Sequence, residues 1–157
     1  MINREDKYIL SEVKKYFHIK ELVGRRTYKK YGESSWKFLD IRLLETLLIL
    51  REKLGKKIFI NNWHRGGKFS QRGLRTNVQQ IFRNKFLKNV LYISAHVLGK
   101  AVDFDVEGMT AEQVRDWIKI NQHLFPYKIR LEADVTWVHL DIISESENPK
   151  VYVFNPQ

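Results

Sequence analysis

Ionisable residues that alternate with apolar ones on two stretches of the second half of the chain are the natural place to look for chemistry. Asp103 and Asp105 interleave with Val102, Phe104 and Val106, and His139 and Asp141 interleave with Val138, Leu140 and Ile142. Successive side chains of a strand point to opposite faces. Each stretch, read as a strand, therefore turns its apolar residues toward a core and its His and Asp residues to the other side. His96 stands seven residues before Asp103, just ahead of Gly99, and can reach the same place from the incoming loop. Two imidazoles and one carboxylate form a three-ligand zinc set that leaves the fourth position for water. The chain has no cysteine, so any metal must be held by His, Asp and Glu.

Elements that must position these residues can be read from periodicity and punctuation. Ile9, Val13 and Tyr16-Phe17 fall at helical spacing over residues 5–17, and residues 24–35 are polar and turn-rich, which predicts a loop. A leucine-rich helix runs from about Asp40 to Leu54, with Gly55 where a left-handed C-cap belongs. Ile58-Phe59-Ile60 reads as a buried strand leading into the turn Trp63-His64-Arg65-Gly66-Gly67, and residues 75–84 carry Val78, Ile81 and Phe82 as a third, short helix. Thr110-Ala111-Glu112-Gln113 is a capping box, and Pro126 bars the helix it starts from continuing. Tyr127, Ile129 and Leu131 alternate with Lys128, Arg130 and Glu132 as another strand. The expectation is one α+β domain, with a helical part over 1–55 and a metal-site sheet region over 56–157. Helices would pack on one face of a small antiparallel sheet, with zinc on the other.

Ser94-Ala95-His96-Val97-Leu98-Gly99-Lys100-Ala101-Val102-Asp103 follows the pattern S-x-H-x-x-G-x-A-x-D, and Trp137-Val138-His139 resembles a later W-x-H element. Together they resemble the zinc peptidases of family M15, which include D-Ala-D-Ala carboxypeptidases and dipeptidases, phage endolysins and the related hedgehog-type fold. The resemblance covers residues 94–141 directly. It implies that His96, Asp103 and His139 are the zinc ligands, that Gly99 lets the loop turn both first-motif ligands toward the metal, and that the small Ala101 leaves room for it. It also requires a carboxylate near the second histidine to move a proton between water and leaving amine. Many members place that acid three residues before the histidine, where this chain has Thr136. Glu132, whose strand parity can be brought onto the polar face across a hairpin, is favoured for the role, with Asp134 in the turn as the alternative. Arg75, upstream of the first motif, would polarise the scissile carbonyl or hold a substrate carboxylate. Trp137 is placed either to wall the substrate groove or to pack in the sheet. Asp105 and Asp141 read as solvated, or as carboxylates that orient an imidazole. His18, His64 and His123 have no partner pattern.

A net charge of +10 draws the chain to polyanions, among them nucleic acid, anionic membranes and bacterial cell envelope. The usual nucleic-acid-binding motifs are absent, which leaves a basic nucleic-acid-binding domain as the weakest reading. The N-terminal stretch carries charges of both signs with no apolar core behind them, and so does not read as a secretory signal. The resemblance therefore implies zinc-dependent hydrolysis of peptidoglycan stem peptides by an enzyme of phage or prophage type, released onto the wall by another factor. A relative that keeps zinc without turnover, in a virion or on the wall, is the alternative.

Overall fold

The computed structural model describes residues 3–156. Met1 and Ile2, part of the stretch read above for a secretory signal, lie outside the described residues. Helix α1 (Arg4–Val13) begins where the Asn3 side chain accepts a hydrogen bond from the Asp6 N–H, and it buries Ile9 and Val13. It stops short of the Tyr16-Phe17 pair included by its periodicity. Tight backbone turns after Glu12 and Val13 redirect the chain, burying Phe17 and letting the His18 ring cap the short helix α2 (Ile19–Leu22).

The expected loop over residues 24–35 is helical. Helix α3 (Arg25–Tyr31) fills most of it, and a 3-10 helix, Gly32–Phe38, follows. The glycines that suggested a loop are boundaries instead: Gly24 is the N-cap, and Gly32 ends α3 at φ +52°. Helix α4 (Ile41–Leu54) is capped by Asp40 and closed by Gly55 in the left-handed conformation, and α1 packs along it.

Strand β1 (Ile58–Phe59) is followed by helix α5 (Gln80–Leu87), strand β2 (Ala101–Val106) and helix α6 (Ala111–Ile120). Helix α5 starts later than the apolar spacing suggested, and none of its residues is buried. The Thr110–Gln113 capping box forms at the start of α6. Strands β3 (Ile129–Glu132), β4 (Val138–Asp141) and β5 (Val151–Phe154) complete the chain.

Among the described residues the strands form one five-stranded sheet in the order β1-β2-β4-β3-β5. The architecture is α+β, as expected, but the sheet is mixed rather than antiparallel, because β5 runs parallel to β3. Strand β4 is antiparallel to β3, so it ends beside the start of β3. The short connection over 142–150 begins β5 there, and β5 must run in the direction of β3. Val102, Phe104, Val138, Leu140, Ile129 and Leu131 share one core with leucines of α4 and with Val114 and Ile118 of α6. The intervening residues of β2 and β4 carry the ionisable groups. No helix among the described residues is long and apolar enough to cross a membrane.

Candidate metal centre

Strand register brings the two halves of the centre together. Asp103 of β2 lies opposite His139 of β4, and Ala101 lies opposite Asp141. Directly opposed residues of an antiparallel pair project to the same face. His96 arrives from a turn in which the Val97 and Leu98 N–H groups bond back to the Ser94 carbonyl and the Lys100 N–H to that of Ala95. Gly99 closes this turn at φ +69°, and any Cβ there would lie 2.0 Å from the Phe38 carbonyl oxygen, so only glycine fits. The segment over 72–75 is stitched to both sides: Asp103 N–H donates to the Arg72 carbonyl, and Arg75 N–H to that of His96.

His96, Asp103 and His139 are all buried, and one donor atom from each lies within 4.8 Å of the others. His96 Nδ1 is 2.9 Å from the Gly73 carbonyl, and His139 Nε2 is 2.8 Å from Asp141 Oδ2. In neutral rings whose one hydrogen sits on these outer nitrogens, each imidazole donates to an acceptor-only oxygen behind it. The remaining nitrogens, His96 Nε2 and His139 Nδ1, then direct lone pairs at the same atom. They stand 3.2 Å and 2.9 Å from Asp103 Oδ1. Two lone pairs facing one carboxylate oxygen repel, and the arrangement calls for added protons or for a cation among the three groups. The donor set and its outer partners fit a divalent metal: each imidazole has its second nitrogen fixed, as metal-bound histidines ordinarily do.

Without metal, protonation compensates. Burial would push His139 down, but the Asp103 and Asp141 carboxylates outweigh it and hold the ring up at about 9. Burial would likewise raise Asp103, yet its hydrogen bonds with His139 and His96 hold it well below the usual carboxylate range. Asp141 is lowered too, because His139 and Arg130 overcome the cost of its burial.

The surrounding residues divide into those drawn into the centre and those left at its edge. Arg75 donates to Asp103 Oδ2 at 3.1 Å, to Tyr92 Oη at 2.9 Å and to the Gln71 carbonyl, so its guanidinium is anchored on a candidate ligand. Asp105 pairs with Arg72 at 2.6 Å and makes no hydrogen bond to either imidazole. Glu132 follows Leu131, which pairs with Leu140, so the next register position sets it beside His139. Phe154, the β5 partner of Glu132, lays its ring against His139 with 5.8 Å between centroids. Asp134 sits exposed in the hairpin turn at φ +56°, and Trp137 is half-buried just before β4.

Comparison with protein-family models, with curated proteins and with solved structures gives no match to this chain. The centre therefore stands on its own geometry.

Two arginines important to that geometry were not singled out from the sequence. Arg130 grips Asp141 through two hydrogen bonds of 2.8 and 2.9 Å, fixing the carboxylate that orients His139. Arg115 of α6 is buried and donates to the carbonyls of Glu132, Val135 and Trp137, tying down the hairpin that joins β3 to β4. Parity on β3 puts Arg130 on the polar face and was a usable signal. Arg115 had none, since its acceptors are backbone groups far along the chain.

Proposed function

We propose that His96, Asp103 and His139 hold zinc, and that the domain is a peptidase of the M15 type with that family's hedgehog-like fold. Its substrate is then the stem peptide of bacterial peptidoglycan. The observation that supports this reading best is the pair of imidazole nitrogens converging on Asp103 Oδ1, each ring locked from behind by an acceptor. Bound there, zinc would polarise a scissile carbonyl and make a water acidic enough to ionise near neutrality. Glu132, beside His139 in the register, is the carboxylate we assign to take the proton from the attacking water and return it to the leaving amine nitrogen. Arg75 holds Asp103 in place, and from there its positive charge also favours anionic groups of a substrate. Trp137, half-buried and two residues before His139, is the residue we assign to wall the substrate groove. The positive charge of the chain suits the polyanionic wall, and a phage-type lytic enzyme is the biological setting we favour.

Digestion of purified peptidoglycan with mass spectrometry of the released fragments tests this. The wild type should generate new peptide termini. Glu132→Gln should lower the rate by roughly a hundredfold to ten-thousandfold with zinc retained, whereas Asp134→Asn should stay near wild type. A reversal of the two would move the role to Asp134. One observation favours a second reading: Thr136 occupies the position where many members of the M15 family carry the acid. Stoichiometric zinc with no new termini would support a zinc-bearing, non-catalytic virion or wall component.

A further inference from the structure

Between Lys53 and Val102 the chain has no Asp or Glu over 50 residues, while 11 are Lys or Arg. Within this acid-free run, α5 and the residues after it expose large apolar side chains. Phe86, Leu87, Leu91 and Ile93 are each more than two-thirds exposed, and Val90 is nearly half exposed. Arg83, Lys85 and Lys88 lie among them and take no part in the ion pairs of the described residues.

This patch is a built element. Asn89 turns left-handed at φ +54°, its N–H bonds the Phe86 carbonyl, and the Val90 N–H bonds that of Lys85. That is a Schellman closure, which folds the following residues back beside the helix. The return is pinned where Tyr92 meets the Phe82 ring at 5.8 Å between centroids and accepts from Arg75. A cavity of about 390 Å³ lined by Phe82, Arg83, Phe86 and Leu87 opens beside the helix.

We propose that α5 and the segment through Ile93 dock onto an anionic lipid surface, with the apolar side chains entering the interface and the three cations meeting headgroups. Interleaved cations and large apolar side chains on a short helix suit that boundary. A second copy of the chain would bring two strongly positive surfaces together, and of the patch's exposed apolar side chains Phe86 alone is aromatic, a poor stacking platform for successive nucleic-acid bases. Because Tyr92 ties the patch to Arg75 and so to Asp103, docking would hold the metal centre close to the bilayer. The proposal does not depend on the peptidase reading.

The 157-residue chain is sedimented with vesicles of phosphatidylcholine, with or without phosphatidylglycerol. Wild type should bind only the anionic vesicles, and less tightly as salt rises. Lys85→Gln with Lys88→Gln should weaken binding about fivefold per lysine. Phe86→Ser with Leu91→Ser should weaken it by roughly tenfold or more per side chain. These side chains are exposed, so circular dichroism should remain unchanged in each variant. With no native cysteine, Leu91→Cys labelled with an environment-sensitive dye gives a second measurement, and its emission should shift to the blue on anionic vesicles. Three outcomes would overturn the proposal: no binding by the wild type, undiminished binding by the Phe86/Leu91 variant, or a wild-type dimer that this variant dissolves.

Discussion

Around Asp103 the sheet buries ionisable side chains and gives each a partner, whereas from Gln80 to Ile93 the chain exposes apolar side chains and leaves its cations without counter-charges. The first arrangement is costly unless every group is satisfied. Asp103, Asp141, His96, His139, Arg75 and Arg130 meet that condition through mutual contacts and the Gly73 carbonyl. The second arrangement gives little to the fold itself, since α5 buries none of its residues. The difference separates a region whose substitutions should damage stability and metal binding together from one whose substitutions should damage neither.

The largest effect is expected at Asp103. In metal-free protein, Asp103→Ala strands His139, His96 and Arg75 around an empty position and should cost about 3–5 kcal/mol in urea unfolding. A loss under 1 kcal/mol would mean that the buried network is not coupled as described.

Next comes pH. His139 is held at about 9, above its ordinary value near 6.5, so the native state binds that proton more tightly than the unfolded chain. Its contribution is whole below about pH 6.5 and is lost as pH rises through about 9, worth about 3 kcal/mol. Asp103 and Asp141 are both lowered, so their contribution is whole above about pH 4 and fades in acid. Metal-free protein should therefore be most stable from about pH 4 to 6.5. Zinc should remove the alkaline loss, because the ring then gives up its proton to bind, and zinc affinity should rise over the same window. Parallel melting curves with and without zinc from pH 5 to 9 would reveal both trends, and identical alkaline behaviour would break the link between proton and metal.

Asp141→Asn should weaken zinc binding about 10–100-fold while leaving the three ligands in place. A chelator competition measures it, and unchanged affinity would remove Asp141 from the centre. Smallest of all, Leu91→Ser should change folding stability by no more than about 0.5 kcal/mol. A larger loss would mean that the α5 segment belongs to the core after all.

Legibility in the sequence followed the same division. The alternation in β2 and β4 announced the apolar face and the His and Asp face, because successive side chains of a strand point to opposite sides, but it did not report that both faces are buried. The caps of α4 and α6 were visible for an equally local reason. Helix α3 was hidden because its two boundary glycines imitate loop punctuation and only Thr27 of its residues is buried. The short, half-exposed β5 pairs with a strand behind it in the sequence, which no local pattern reports. At the site, the candidate ligands were readable from spacing and motif. Arg115 was not, since a helical arginine next to Glu112 looks like an ordinary solvated pair until the hairpin carbonyls close over it.

Zinc content of the purified chain, measured beside His96→Ala and Asp103→Ala, tests the central claim most directly. One zinc per wild-type chain, lost in both variants while circular dichroism shows them folded, is the expected result. A wild type that binds no zinc after dialysis against the metal, or variants that keep it, would contradict the metal centre and the peptidase reading built on it.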